Sequence, residues 1–289
     1  MQTMVLEREL QALDNSAEKL LVACHEGEML YRRWNGPDDA ETVLLVHGGS
    51  GSWLHWFRNI SFLRRHCHVV TVDLPGLGDS AALAEGYTAT DAVDVFSSGT
   101  LDIMQGKSFH IVAFSWGCAV SSQAALYLGN QLRSLLLTGP ASLGDIPRRG
   151  TMKPLIRRTP DMSALEVREA HRENLARLMI YDRSRIDDLA VLIQILNTQK
   201  ARFNSPQFAR SKLVLEGVAR TRVPLKVVYG QYDAPGLPDI VAKKDLFEAV
   251  SDNVEFEIIA DAGHWLQYEQ AGIFNEMTLQ WLTKNSGRS

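Results

Sequence analysis

The sequence predicts an α/β fold, with a mostly parallel sheet flanked by helices and one helical cap insertion. Three observations carry this. Short apolar runs bounded by Gly, Pro or Asp recur along the chain. Most are separated by segments with apolar residues at helical spacing. From 141 to 223 the helical spacing continues without any strand-like run. Continuous rather than alternating apolar runs mark strands buried on both faces, as in a parallel sheet covered by helices. A chain of 289 residues with 45% hydrophobic content can build one such domain with a sizeable core.

The expected strands are Met29 to Trp34, Thr42 to Val46, Val69 to Asp73, Phe109 to Phe114, Leu132 to Thr138, Leu225 to Tyr229 and Val254 to Ile259. Helices are expected over Trp53 to Arg65, Asp91 to Gln105, Trp116 to Leu128, Ile240 to Val250 and Trp265 to Lys284. Within the insertion, Ser163 to Tyr181, Asp187 to Arg202 and Pro206 to Ala219 carry helical spacing. So long a strandless stretch is too much for a loop in a compact domain. The expected division is therefore a core of 1–140 and 224–289 and a helical cap of 141–223 over the strand ends.

Lys and Arg number 30 against 34 Asp and Glu, so no strong field favours nucleic acid or an anionic membrane. A small-molecule substrate fits better, and a homodimer is an open possibility. No apolar run approaches the ~18 residues of a membrane span, and the first twenty residues lack the apolar stretch of a secretory signal. Cys24, Cys67 and Cys118 are odd in number and scattered, which suits free thiols in a reducing compartment, and the cytoplasm is the expected location. His, Cys and acidic residues show no metal-ligand spacing, so neither a metal nor a cofactor is expected.

The sharpest chemical signal is Ala113-Phe114-Ser115-Trp116-Gly117, after a strand-like run and before a helix-like one. A serine on such a strand-turn-helix elbow projects its hydroxyl above the sheet. Alone the motif is weak, because serines before helices are often N-caps. Its weight comes from two further parts in the chain order Ser, Asp, His. Asp233 follows the strand ending at Tyr229-Gly230, and His264 follows the strand ending at Ile259. A serine hydroxyl is a poor nucleophile until an imidazole takes its proton, and the imidazole needs a carboxylate to fix its tautomer. Asp145 is the rival acid. The bland alternative makes His264 a helix cap and Asp233 a turn former. His47-Gly48-Gly49-Ser50-Gly51 follows another strand, where glycines let backbone amides approach a reacting oxygen, and the oxyanion hole is assigned to the amides of Gly49 and Trp116. His47 itself reads as a structural hydrogen bonder. Gly48, Phe114 and Trp265 are candidate pocket residues. Arg148, Arg149, Arg157 and Arg158 form a basic patch where the insertion begins, either a solvated face or a partner for a substrate carboxylate.

Together His47-Gly48-Gly49, Asp73-Leu74-Pro75-Gly76-Leu77-Gly78-Asp79-Ser80, the Ser115 elbow, Asp233 and Gly263-His264-Trp265 resemble the α/β-hydrolase superfamily. Trp56-Phe57-Arg58-Asn59-Ile60, Leu178-Met179-Ile180-Tyr181-Asp182 and His264-Trp265-Leu266-Gln267-Tyr268-Glu269 are similar to the meta-cleavage-product hydrolases, which split a carbon-carbon bond in vinylogous diketo acids. Those enzymes usually have Asn before the nucleophile, where this chain has Phe114. The expectation is therefore a carboxylic ester hydrolase working through an acyl-enzyme. The alternative is a carbon-carbon bond hydrolase with the same triad, and a third reading, of another class, is a non-catalytic ligand-binding protein. A serine rather than an aspartate at 115 argues against epoxide hydrolase or haloalkane dehalogenase chemistry.

Overall fold

A computed structural model of the protein describes residues 2–25, 27–144 and 153–287. In chain order its elements are α1 (Gln2–Asn15), β1 (Glu18–Cys24), β2 (Gly27–Trp34), β3 (Thr42–Val46), α2 (Phe57–Leu63), β4 (His68–Val72), α3 (Ala89–Met104), β5 (Phe109–Phe114), α4 (Trp116–Leu128) and β6 (Leu132–Thr138). There follow α5 (Ala164–Leu178), α6 (Asp188–Gln199), α7 (Leu213–Arg220), β7 (Leu225–Gly230), α8 (Val241–Glu248), β8 (Val254–Ile259), α9 (Leu266–Glu269) and α10 (Ala271–Lys284). The strands form one sheet in the order β1-β2-β4-β3-β5-β6-β7-β8, with the β1-β2 and β2-β4 pairings antiparallel and every pairing from β4 on to β8 parallel.

The central strands are buried along nearly their whole length, β5 and β7 throughout, because each feeds a core on both faces. Leu44, Val46, Ile111, Ala113, Leu135, Leu137 and Val227 point into one apolar cluster. Val43, Leu45, Val112, Phe114, Leu136 and Val228 point into the other. Alternation with period two thus divides an unbroken apolar run between two helical layers.

α1 and β1 lie outside the expected set. β1 pairs as an edge strand with β2, and α1 is tied to the sheet by Arg32. That guanidinium is buried and contacts Asp14 at 2.6 Å, Asp73 at 2.8 Å and Asp79 at 2.8 Å. Asp73 also accepts from the Trp53 N–H at 2.8 Å, so the Asp73–Ser80 motif is a hub that fixes the turn after β3.

Three expected helices are interrupted. Residues 53–65 begin as a 3-10 turn, Trp53–Trp56, capped by the Ser52 hydroxyl. The C-terminal helix breaks at Gln270, and 206–219 divides into a 3-10 turn, Ser205–Phe208, followed by α7. Between β6 and β7 the described residues hold helices and 3-10 turns but no strand. α5 and α6 pack on each other above the strand ends, whereas α7 packs on α4 of the core, with Gly217 against the backbone of Ser122 and Gln123. The expected cap of 141–223 thus contains a helix that flanks the sheet, because Val214 and Val218 share a core with Val120 and Ala124. Arg148, Arg149 and Asp145 lie outside the described residues. No helix among the described residues is long and apolar enough to cross a membrane.

Candidate active site

The carboxyl ends of β3, β5, β7 and β8 open on the same side of the sheet, where a largely parallel sheet offers loops to a ligand. Ser115 leaves β5 with φ 51° and ψ −113°, a strained conformation for a residue with a Cβ. The turn closes because Gly117 has no side chain: a Cβ there would sit 2.5 Å from the His47 carbonyl oxygen and 2.8 Å from that of Val46. Ala113, in the place of the usual first glycine, is buried between Val46 and Leu137 of the neighbouring strands. Although Ser115 occupies the N-cap of α4, its hydroxyl makes no capping bond; it lies 3.0 Å from Nε2 of His264.

His264 Nδ1 lies 2.8 Å from Oδ2 of Asp233, which is fully buried. A carboxylate can only accept, so Nδ1 carries the proton and Nε2 is left to accept from the Ser115 hydroxyl. The other Asp233 oxygen, Oδ1, accepts from the Gly236 N–H at 2.8 Å. The structure thus brings Ser115, His264 and Asp233 into one hydrogen-bonded line.

Gly49 and Trp116 flank the serine, and neither amide has a hydrogen-bond acceptor among the described residues. As the first residue of α4, Trp116 has no intrahelical acceptor. Gly49 is aimed by its neighbours. His47 Nδ1 donates to the Gly48 carbonyl at 2.7 Å while its Nε2 accepts from the Leu74 N–H at 2.9 Å. Because C=O and N–H point opposite ways across a trans peptide, holding the Gly48 oxygen turns the Gly49 N–H the other way. His47 is therefore a structural hydrogen bonder, and burial pushes its pKa down, which keeps it neutral.

Gly49, Ser115, Trp116 and His264 line a cavity of about 490 Å³. Phe114 and Trp116 contribute to its wall, but Gly48 and Trp265 stand one layer behind it. Trp265 is fully buried, stacked on Tyr268, and donates from Nε1 to the His55 carbonyl at 3.0 Å. His55 is the wall residue they support, and no local motif in the sequence marks it. Its Nδ1 accepts from the Gly48 N–H at 3.3 Å, so a neutral ring carries its proton on Nε2, beside the cavity. Burial, with His47 and His264 nearby, pushes the His55 pKa well down.

On the insertion side, Arg158 contacts the ring of His171 and the Thr198 hydroxyl, the latter at 2.9 Å. Burial and the adjacent Arg158 charge push His171 down to about 4, so both partners of Arg158 are neutral at pH 7. The cavity wall contains Arg157 and Arg158 and, among the described residues, no Asp or Glu.

Glu269 locks the two sides together. Its carboxylate is buried and accepts from Gly263 N–H at 2.7 Å, Tyr181 N–H at 3.1 Å and Asp182 N–H at 2.7 Å. The loop bearing His264 is thereby tied to the chain leaving α5. Glu269→Ala leaves three backbone donors without their acceptor and is expected to cost about 2–4 kcal/mol, read as a lower chemical denaturation midpoint. An unchanged midpoint would show that other bonds hold these loops.

A strained serine on a strand-turn-helix elbow, bonded to a histidine and a buried aspartate from later strand ends, defines a hydrolase-type site on an α/β scaffold. The chain belongs to the alpha/beta hydrolase family, whose profile matches residues 43–277. It is similar to the 2-hydroxy-6-oxononadienedioate/2-hydroxy-6-oxononatrienedioate hydrolase of Comamonas testosteroni, with 26% identity over 267 residues, covering 86% of this chain and 90% of that one. In fold it resembles a carboxylesterase of Bacillus subtilis, with TM-score 0.70 and 19% identity, covering 96% of this chain and 98% of the other. It also resembles a meta-cleavage product hydrolase of Pseudomonas fluorescens, with TM-score 0.70 and 20% identity, covering 92% and 97%.

Proposed function

We propose that Ser115, His264 and Asp233 act as nucleophile, general base and orienting acid of a hydrolase that cleaves the carbon-carbon bond of a vinylogous diketo acid. The observation that carries this reading is the charge of the cavity: Arg157 and Arg158 belong to the wall of the cavity that holds Ser115, with no acid in the described wall to neutralise them. A substrate with a carboxylate at the end remote from the reacting carbonyl complements that wall. Named substrates of relatives such as the Comamonas testosteroni enzyme are dioates of this kind.

The expectation of an ester substrate rested on Phe114, which offers no polar group beside the serine. In the folded chain that shortfall is met by His55, whose ring packs edge-on against Phe114 with centroids at 5.3 Å and whose Nε2–H is available to a substrate oxygen. In the proposed reaction the dienol first tautomerises: its enol hydroxyl becomes a ketone and the carbon that will leave takes up a proton, so that the ketone can accept the electron pair of the breaking bond. Ser115 Oγ then adds to the carbonyl carbon as His264 takes its proton, and the bond to the adjacent carbon breaks. The ketone oxygen that accepts the electron pair receives the proton from His264, and water releases the acyl group from Ser115. The cytoplasm is the proposed compartment.

Ester cleavage remains the second reading, because it asks only for the nucleophile, the base and the oxyanion donors. Comparing kcat/KM for 2-hydroxy-6-oxo-6-phenylhexa-2,4-dienoate and p-nitrophenyl butyrate decides between them. A hundredfold preference for the diketo acid, or ~2.7 kcal/mol of transition-state discrimination, is expected; the reverse preference overturns it. Arg158→Gln is expected to lower kcat/KM for the diketo acid by about 10–100-fold, the worth of one charge-assisted hydrogen bond, while the neutral ester changes by less than about twofold. Equal losses on both substrates would remove the carboxylate role.

A further inference from the structure

We propose that the hydroxyl of Ser205 is a third donor of the oxyanion hole, delivered from the segment between α6 and α7. The proposal rests on Ser115 being the nucleophile, and it is independent of which bond the natural substrate presents.

Ser205 opens the 3-10 turn Ser205–Phe208 and is 8% exposed. It belongs to the cavity wall with Gly49, Ser115 and Trp116. A methyl group built on Gly49 would run into the Ser205 hydroxyl oxygen and would lie 3.7 Å from the Cβ of Trp116. The hydroxyl therefore rests against Gly49 beside Trp116, the two residues whose unpartnered amides flank the nucleophile. It has no protein hydrogen-bond partner among the described residues, caps no helix, and is not among the side-chain oxygens sealed away without a partner. A buried hydroxyl with an unused O–H beside two unused N–H groups makes a three-donor cradle for one oxygen.

The segment is also held rigid, as a preorganised donor must be. Phe203 and Phe208, on either side of Ser205, pack on the Trp116 indole with centroids at 5.3 and 5.2 Å. Phe203 stacks on Tyr87 at 4.5 Å, and the Tyr87 hydroxyl accepts from the Asn204 N–H at 2.7 Å. The Arg202 N–H donates to the Gly76 carbonyl at 2.8 Å. Glycine at 49 is then required for a reason the sequence does not display: a side chain there would expel Ser205. In the reaction Ser115 Oγ bonds to the carbonyl carbon, the carbonyl oxygen takes the negative charge, and Ser205 donates a hydrogen bond to that oxygen without giving up its proton.

The test compares the full chain with Ser205→Ala and with Ser205→Cys, which keeps the volume but offers a weak donor. Turnover of p-nitrophenyl acetate reports acyl transfer, and inhibition by phenylboronic acid, which forms a tetrahedral anionic adduct, reports affinity for the oxyanion. Both variants are expected to lose roughly a hundredfold in kcat, to keep KM within about twofold, and to bind phenylboronic acid more weakly by a similar factor. The inhibition constant does not depend on how much enzyme is folded, so a folding defect cannot imitate this pattern. A kcat within about twofold of the parent, or a loss confined to KM, overturns the proposal while leaving Ser115 in place. Labelling of the parent by a fluorophosphonate at a serine other than Ser115 overturns the Ser115 reading and this proposal with it.

Discussion

Ser115→Ala is expected to lower kcat by at least about 10⁴-fold, leaving the background that oxyanion donors and binding alone sustain. The size follows from the hydrogen-bonded line: the hydroxyl lies 3.0 Å from His264 Nε2, and removing it leaves an oriented imidazole with nothing to deprotonate. Folding should be little affected, since the hydroxyl neither caps α4 nor fills the core. The measurement is single-turnover kinetics on p-nitrophenyl butyrate beside mass spectrometry after fluorophosphonate treatment. An adduct on another serine, or a variant retaining a tenth of parental activity, would remove Ser115 from the mechanism and return the non-catalytic binding protein to consideration.

Asp233→Asn is expected to cost about 10⁴-fold in kcat with the geometry intact. The structure dictates how the amide would sit. The Gly236 N–H, 2.8 Å from Oδ1, keeps an oxygen at that position, so the amide nitrogen takes the place of Oδ2 and faces His264 Nδ1. Nδ1 must then accept, the ring proton moves to Nε2, and Nε2 cannot take a proton from Ser115. The defect should appear in kcat with KM little changed, and the denaturation midpoint should move far less than the rate. A loss below about tenfold would show that another group orients the imidazole.

The sheet and the three site residues were legible because their signals are local. Strands such as Val43 to Val46 and Leu135 to Leu137 are continuous apolar runs, which only burial on both faces explains. Ser115, Asp233 and His264 each follow a strand directly, so the parallel order brings their loops to one edge. The edge strand β1 and helix α1 give weak sequence signals, since an edge strand is half exposed and α1 packs only a short stripe, Leu6, Leu10 and Leu13, on the core, helped by the Asp14–Arg32 ion pair. The junction of the 3-10 turn with α2 at Trp56–Phe57 has no Pro or Gly to mark it.

What the sequence by itself determined is the α/β scaffold, the serine elbow and the histidine and aspartate that the fold brings to it, because strand, turn and helix signals act over a few residues. What only the tertiary structure decided is the rest of the cavity: His55 supplying the polar group that Phe114 lacks, Trp265 and Gly48 withdrawn behind the wall, Arg158 left with neutral partners, Glu269 joining the His264 loop to the insertion, and Ser205 seated against Gly49. Each of these depends on which distant segment packs against which. Hydrogen bonds and close contacts between residues far apart in the chain are fixed by packing, to which no local residue pattern is a guide.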